Sequence, residues 1–130
     1  MDMCKLRVAR PTRSLATVVR FYREGLGFEL VGGFEDHAGF DGVMLGQVGT
    51  PYHLEFTVER GHEAPRAPSP EHLLVFYVPR RAEWEARVKR MVQAGFQPVR
   101  SHNPYWDVHG KTFEDPDGYR VVLYQGEWTR

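Results

Sequence analysis

The sequence is poor in cysteine: Cys4 stands alone among 130 residues. An internal disulfide is excluded, and a lone thiol fits a reducing cytoplasm. Charge bias is also absent, with 17 Lys+Arg against 17 Asp+Glu and a formal net charge of zero. No basic excess favours nucleic acid or an anionic membrane, so neither is expected as a partner. No apolar run approaches the length of a membrane span. The opening MDMCKLRVAR lacks the apolar centre of a signal peptide, and cytoplasmic residence is the expectation. A nucleophile–base–orienter triad and a glycine-rich phosphate loop are missing too, which removes the commonest hydrolase and nucleotide-binding readings.

Aromatic residues, by contrast, are abundant: Trp 3, Tyr 6 and Phe 8. They suit a domain with a partly apolar pocket. The chain is long enough to bury a core as one domain without disulfides or structural metal. Its most defined stretch is Phe113–Gln125, FEDPDGYRVVLYQ. Pro116 presets φ for the first central position of a turn, Asp117 tolerates the second, and Gly118 takes positive φ freely. Tyr119–Tyr124 is β-branched and aromatic and reads as a strand. Alternation puts Tyr119, Val121 and Leu123 on one face and Arg120, Val122 and Tyr124 on the other. A face holding Arg and Tyr beside Val is suited to lining a cavity.

In chain order, Cys4–Ala9 alternates as a first strand, with Lys5, Arg7 and Ala9 opposite Leu6 and Val8. Thr12 or Ser14 can cap a helix over Leu15–Leu26, whose buried stripe is Leu15, Val18, Val19, Tyr22 and Leu26. Gly25 and Gly27 mark its exit. Strands follow at Phe28–Glu35, Val43–Gln47 and Tyr52–Val58, with Asp41-Gly42 as the signal of the first hairpin. Glu59–Glu71 contains three prolines and no periodicity, and reads as a flexible linker. The pattern then recurs: strand His72–Val78, helix Arg81–Gln93, strand Gln97–Arg100, loop Ser101–His109, and strands Gly110–Glu114 and Tyr119–Tyr124. Ala94-Gly95-Phe96 repeats the exit Leu26-Gly27-Phe28.

The internal duplication predicts an α+β fold of two βαβββ modules, 4–58 and 72–125, joined by linker 59–71 within a single domain. Each module has one helix to cover one face of its strands. Together they are expected to form a half-open mixed β barrel, helices outside, with the inward faces making a cleft. In this register Leu54, Phe56, Leu73, Val75, Val121 and Leu123 face the helices, and His53, Glu55, His72, Val122 and Tyr124 face the cleft.

Four stretches carry a resemblance to the vicinal-oxygen-chelate superfamily, the glyoxalase / bleomycin-resistance / extradiol-dioxygenase group. They are PTRSLATVVRFYREGLGFELVG, HLEF, HLLVFYV and FEDPDGYRVVLYQ, and together they span nearly the whole chain. The resemblance implies the fold more than an activity, because the superfamily includes lyases, isomerases, dioxygenases, thiol transferases and non-catalytic drug binders. Its metal-dependent members take ligands from strands one, four, five and eight. Here those positions fall on Arg7, Glu55, His72 and Val122. Only Glu55 and His72 can ligate a metal, with His53 as a third candidate on the face of Glu55.

The leading expectation is therefore a cytoplasmic binder of a small organic ligand, acting through Arg7, His53, Glu55, His72, Trp106 and Tyr124. No metal or other cofactor is assigned to it, and a homodimer is expected. The alternative is a metal-dependent lyase, isomerase or dioxygenase using Glu55, His72 and His53 with Zn, Ni, Fe or Mn. Arg7 is read in two ways: as the partner that keeps Glu55 charged, or as a receiver of a ligand carboxylate or phosphate. Trp106, with Tyr105 and Tyr124, forms an aromatic wall for a planar ligand or simply packs its loop.

Overall fold

The computed structural model describes residues 4–129. They divide into two compact units, one ending at Pro65 and the other beginning at Arg66.

The first unit contains β1 (Leu6–Pro11), α1 (Leu15–Val19), a π-helical continuation of α1 (Arg20–Gly25), β2 (Glu29–His37), β3 (Phe40–Gly46) and β4 (Tyr52–Glu59). Its sheet has the order β1-β4-β3-β2. β1 runs parallel to β4, and the other pairs are antiparallel. Ser14 caps α1: its Oγ accepts from Thr17 N at 3.3 Å. The expected helix to Leu26 is thus present, but its second half is wound more widely. Leu26 N donates to Phe21 O, five residues back, and Phe28 N to Tyr22 O. Phe21 and Tyr22 are both fully buried, and the Tyr22 ring lies 4.8 Å from that of Phe56. With Val18, Leu45 and Leu54 they make the core of this unit.

The first hairpin turns earlier than expected. Ala38 (φ 53) and Gly39 (φ 87) are the central residues, both in the left-handed region that such two-residue turns require. Asp41 and Gly42 lie within β3 instead. The Asp41 carboxylate accepts from Arg60 at 2.8 Å and from Asp36 N at 2.8 Å. These two contacts, Arg60 first, hold its carboxyl below the ordinary range. Gly42 is glycine because the Phe34 ring lies over it: an added Cβ would sit 2.4 Å from that ring.

The second unit contains β5 (Leu73–Val78), α2 (Arg81–Gln93), the single turn α3 (Tyr105–Val108), β6 (Gly110–Glu114) and β7 (Arg120–Gln125). Its sheet order is β5-β7-β6, with β5 parallel to β7. The strand expected over Gln97–Arg100 is reduced to one bridge, Val99 with Thr112. Pro98 has no N–H to give, Arg100 O is taken by Arg120 at 3.0 Å, and Ser101 N by the Asp107 carboxylate. Helix α2 packs on β5 and β7, and Trp84 Nε1 donates to Leu123 O at 2.8 Å. Its exit at Gly95 (φ 97) is a Schellman pair, Phe96 N to Met91 O and Gly95 N to Val92 O.

β5 adopts the opposite phase from that expected. Leu73, Val75 and Tyr77 pair with Arg120, Val122 and Tyr124, so they share that face rather than the face of Leu123. The run LLVFYV is apolar throughout, and period two has no phase to read in such a run. Val122 lies on the expected face but is fully buried.

The proline-rich stretch after β4 is tied down at several points. Arg13 Nε donates to Ala64 O at 2.9 Å, and Ala64 is buried. Ala67 N donates to Asp117 O at 2.9 Å, and Arg66 to Pro116 O at 3.2 Å. Backbone carbonyls supply these anchors, and composition does not reveal them. Among the described residues no helix is long and apolar enough to cross a membrane.

Candidate functional site

In the first unit, pairing fixes which side chains meet. Arg7 lies beside His53 and Ala9 beside Glu55. Met44 pairs with Glu55, and Gly32 with Met44. Paired residues share a face, so Arg7, His53, Glu55, Met44 and Gly32 line the face opposite buried Leu54 and Phe56. Arg7 Nε donates to His53 Nε2 at 2.8 Å, and Arg7 Nη1 to Glu55 Oε2 at 3.3 Å. In this contact the imidazole Nε2 is the acceptor, since a guanidinium nitrogen can only donate. The Glu55 side chain is 14% exposed and that of Arg7 46%. The carboxylate is thus largely withdrawn from water and compensated, while the guanidinium still faces solvent. Beside it is a pocket of about 380 Å³ lined by Arg7, Val31, Gly32, Gly33, Met44 and His53.

The glycines and Met44 of this pocket were missed in the sequence. Their signal was VGG inside a strand, since strand glycine often marks close approach by a backbone or ligand. A register shift between Leu30 and Gly32 leaves Val31 as the extra residue.

In the second unit the aromatic residues gather around Tyr124. The Tyr105 ring stacks parallel to it at 6.0 Å; Trp106 and Tyr77 meet it edge-on, each at 5.6 Å. The Tyr124 hydroxyl donates to Tyr105 Oη at 3.5 Å. That contact, then desolvation, pushes the Tyr124 hydroxyl above its ordinary pKa. Trp106 also lines a pocket of about 150 Å³ with Leu73, Ser101 and His102. His72 is exposed and sits just ahead of β5, not within it.

Comparison with known proteins follows the same two halves. The model of the YycE-like N-terminal domain matches residues 6–57, and that of the YycE-like C-terminal domain residues 71–125. The uncharacterised protein YycE of Bacillus subtilis (strain 168) is 48% identical over 119 residues, 92% of this chain and 86% of its own. The chain belongs to the YycE-like family. The crystal structure of a YycE protein of unknown function from Bacillus subtilis superposes with a TM-score of 0.91 at 43% identity, covering 99% of this chain and 94% of that one. The trypanothione-dependent glyoxalase I of Leishmania major gives 0.73 at 19% identity, covering 97% and 87%. The fold of this YycE-like chain is that of the vicinal-oxygen-chelate superfamily, α+β with βαβββ-like modules.

The divalent ion used by metal-dependent members of that superfamily does not fit the donors of this YycE-like chain. Arg7 stands at the strand-one position, and its Nε–H occupies the His53 lone pair that a metal would need. Val122 stands at the strand-eight position, fully buried and without a donor atom. Among the described residues, no three His, Cys, Asp or Glu side chains are grouped so as to hold a metal.

Proposed function

We propose that this YycE-like chain binds a small organic molecule on the Arg7–His53–Glu55 face, with no metal held by protein ligands. The observation that carries this reading is the Arg7 guanidinium, bonded to His53 and Glu55 and still half exposed beside a pocket of about 380 Å³. That volume falls in the range of ordinary ligand sites. Within the second unit, the Trp106–Tyr124 surface, with His72 ahead of β5, is a separate candidate surface for an aromatic ligand. The exposed, unpaired Cys4 suits cytoplasmic residence, and a homodimer is part of the same reading.

The test is a thermal-shift screen of small organic acids, amides and amines, followed by calorimetry on the hits. A ligand at about a hundred times its Kd adds about 2.7 kcal/mol of stability. The shift should vanish in Arg7→Gln and persist in chelator. Tight stoichiometric binding of Zn²⁺ or Ni²⁺ by the wild type would overturn this reading in favour of a metal-dependent lyase, isomerase or dioxygenase. Sedimentation velocity tests the dimer.

A further inference from the structure

On the basis of that ligand-binding reading, we infer that the Arg7 face takes a compact organic oxyanion, a carboxylate on an apolar body, and that Gly32 sets the size of that body.

The charge follows from the donors of Arg7. A guanidinium has five N–H groups. Nε–H is used by His53, and one Nη1–H by Glu55 at a long 3.3 Å. The remaining three include one on each terminal nitrogen. Donors on the two terminal nitrogens of a guanidinium can together receive both oxygens of a carboxylate. The 2.8 Å bond from Nε to His53 orients the fork before any ligand arrives, which lowers the ordering cost of binding. Arg7 is also the one residue lining the pocket that carries a full charge; Glu55 is not among its lining residues. An ammonium group would meet a like charge there. An amide would accept from the fork without neutralising it.

The size follows from Gly32. It is not among the positive-φ glycines, so its backbone does not demand glycine. Neither does packing: an added Cβ would meet Met44 Sδ at 3.5 Å and Met44 Cβ at 3.9 Å, ordinary contacts. Gly42, in the same sheet, is different, because a Cβ there would strike the Phe34 ring at 2.4 Å. Glycine weakens a strand interior and persists where something must approach closely. At Gly32 the space it leaves belongs to the pocket, on the face shared by Met44 and Arg7. At about 30 Å³ per water-sized group, the pocket accommodates roughly a dozen heavy atoms, enough for one ring and its carboxylate.

The experiment uses the full chain and four probes: benzoate, benzamide, benzylammonium and acetate. The Met44 methyl and Gly32 amide resonances are followed through each titration. Benzoate should bind at least about tenfold more tightly than benzamide or benzylammonium. Arg7→Gln should abolish that preference. Gly32→Val should weaken benzoate about tenfold and leave acetate unchanged. Gly32→Ala, a smaller filling, should weaken benzoate less and keeps the measurement open if valine disturbs the sheet. Equal affinity for benzamide or benzylammonium overturns the oxyanion assignment. Unchanged benzoate affinity in both Gly32 variants overturns the role of Gly32. Silence from all four probes overturns the whole inference, whereas the broader ligand-binding reading falls only if the thermal-shift screen is empty as well.

Discussion

Each unit has an arginine paired with a glutamate on the face away from its helix, and the two pairs differ. In the first unit Arg7 reaches Glu55 through one contact at 3.3 Å and stays 46% exposed. In the second, Arg120 holds Glu114 at 3.1 Å and Arg100 O at 3.0 Å and is 15% exposed. The difference lies in the neighbours. Beside Arg7 the sheet offers Gly32 and Gly33; the row next to Arg120 is Val122 and Thr112, both fully buried. Duplicated topology therefore gives two frameworks, but of these two arginines it is Arg7 that stays half exposed and lines a pocket. The sheet's connections place the pair, and the side chains around it decide whether it is a site or a structural tie.

The largest expected contrast concerns the turns that close the two sheets. Asp115, 3% exposed, accepts from Asp117 N at 2.8 Å and Tyr119 N at 3.0 Å. Its counterpart before β4 is stapled by Thr50, whose Oγ1 donates to Gln47 O at 2.8 Å in a partly exposed setting. Asp115→Ala strands two backbone donors and should cost about 2–4 kcal/mol. Thr50→Ala should cost about 1 kcal/mol or less. Urea unfolding midpoints measure both, and equal losses would mean that the two turns carry equal weight.

Next come the two strand glycines of the first sheet. Gly42→Ala must displace the Phe34 ring and should destabilise by about 1–2 kcal/mol. Gly32→Ala meets nothing closer than Met44 at 3.5 Å. It should be neutral, or stabilising by about 0.4–1 kcal/mol through the unfolded chain. A large loss at Gly32 would show that the sheet itself requires this glycine, and would take away its role in shaping the pocket.

What the sequence disclosed is what local chemistry dictates. The DPDG turn forms where Pro116 and Gly118 put it, with Gly118 N bonded to Asp115 O. Both glycine helix exits are present, at Gly27 and Gly95. The Arg7–Glu55 contact was legible because β1 and β4 alternate clearly, so a polar face could be read on each. β5 was misread because its apolar run has no phase. The tie of Ala67 to Asp117 and the reduction of 97–100 to one bridge were hidden for another reason. Both depend on residues distant in sequence, whose partners no local pattern announces. Gly32 and Met44 belong to the same class: their importance appears only once β2 is laid beside β3.

A smaller but sharper contrast is chemical. Arg7→His exchanges a donor for a ligand nitrogen beside His53 and Glu55, and frees the His53 lone pair that Arg7 now occupies. Three donors from neighbouring strands approach the minimum of a zinc site. Zn²⁺ and Ni²⁺ affinity should rise at least about tenfold over wild type in calorimetric titration. No rise would mean that Arg7 is not what keeps the metal out.

The smallest expected effect lies in the second unit. Tyr124 donates its proton to Tyr105 Oη, and the neutral form is favoured by that bond and by desolvation. The bond is long at 3.5 Å, so the displacement is modest. Tyr105→Phe removes the acceptor and should bring the Tyr124 hydroxyl back down toward its ordinary value, followed by tyrosinate absorbance with Tyr124→Phe as the reference. The sign of the linkage is fixed. A group with a raised folded pKa contributes stability fully below its unfolded value, near 10, and loses it as pH rises through the folded value. Alkaline unfolding of the wild type should therefore include a contribution from Tyr124 that shrinks in Tyr105→Phe. Arg7→Gln should not move it, because its cause lies wholly in Tyr105 and the rings around Tyr124. If the first-unit variant shifts that titration as much as Tyr105→Phe does, the two polar faces are coupled and the contrast between them fails.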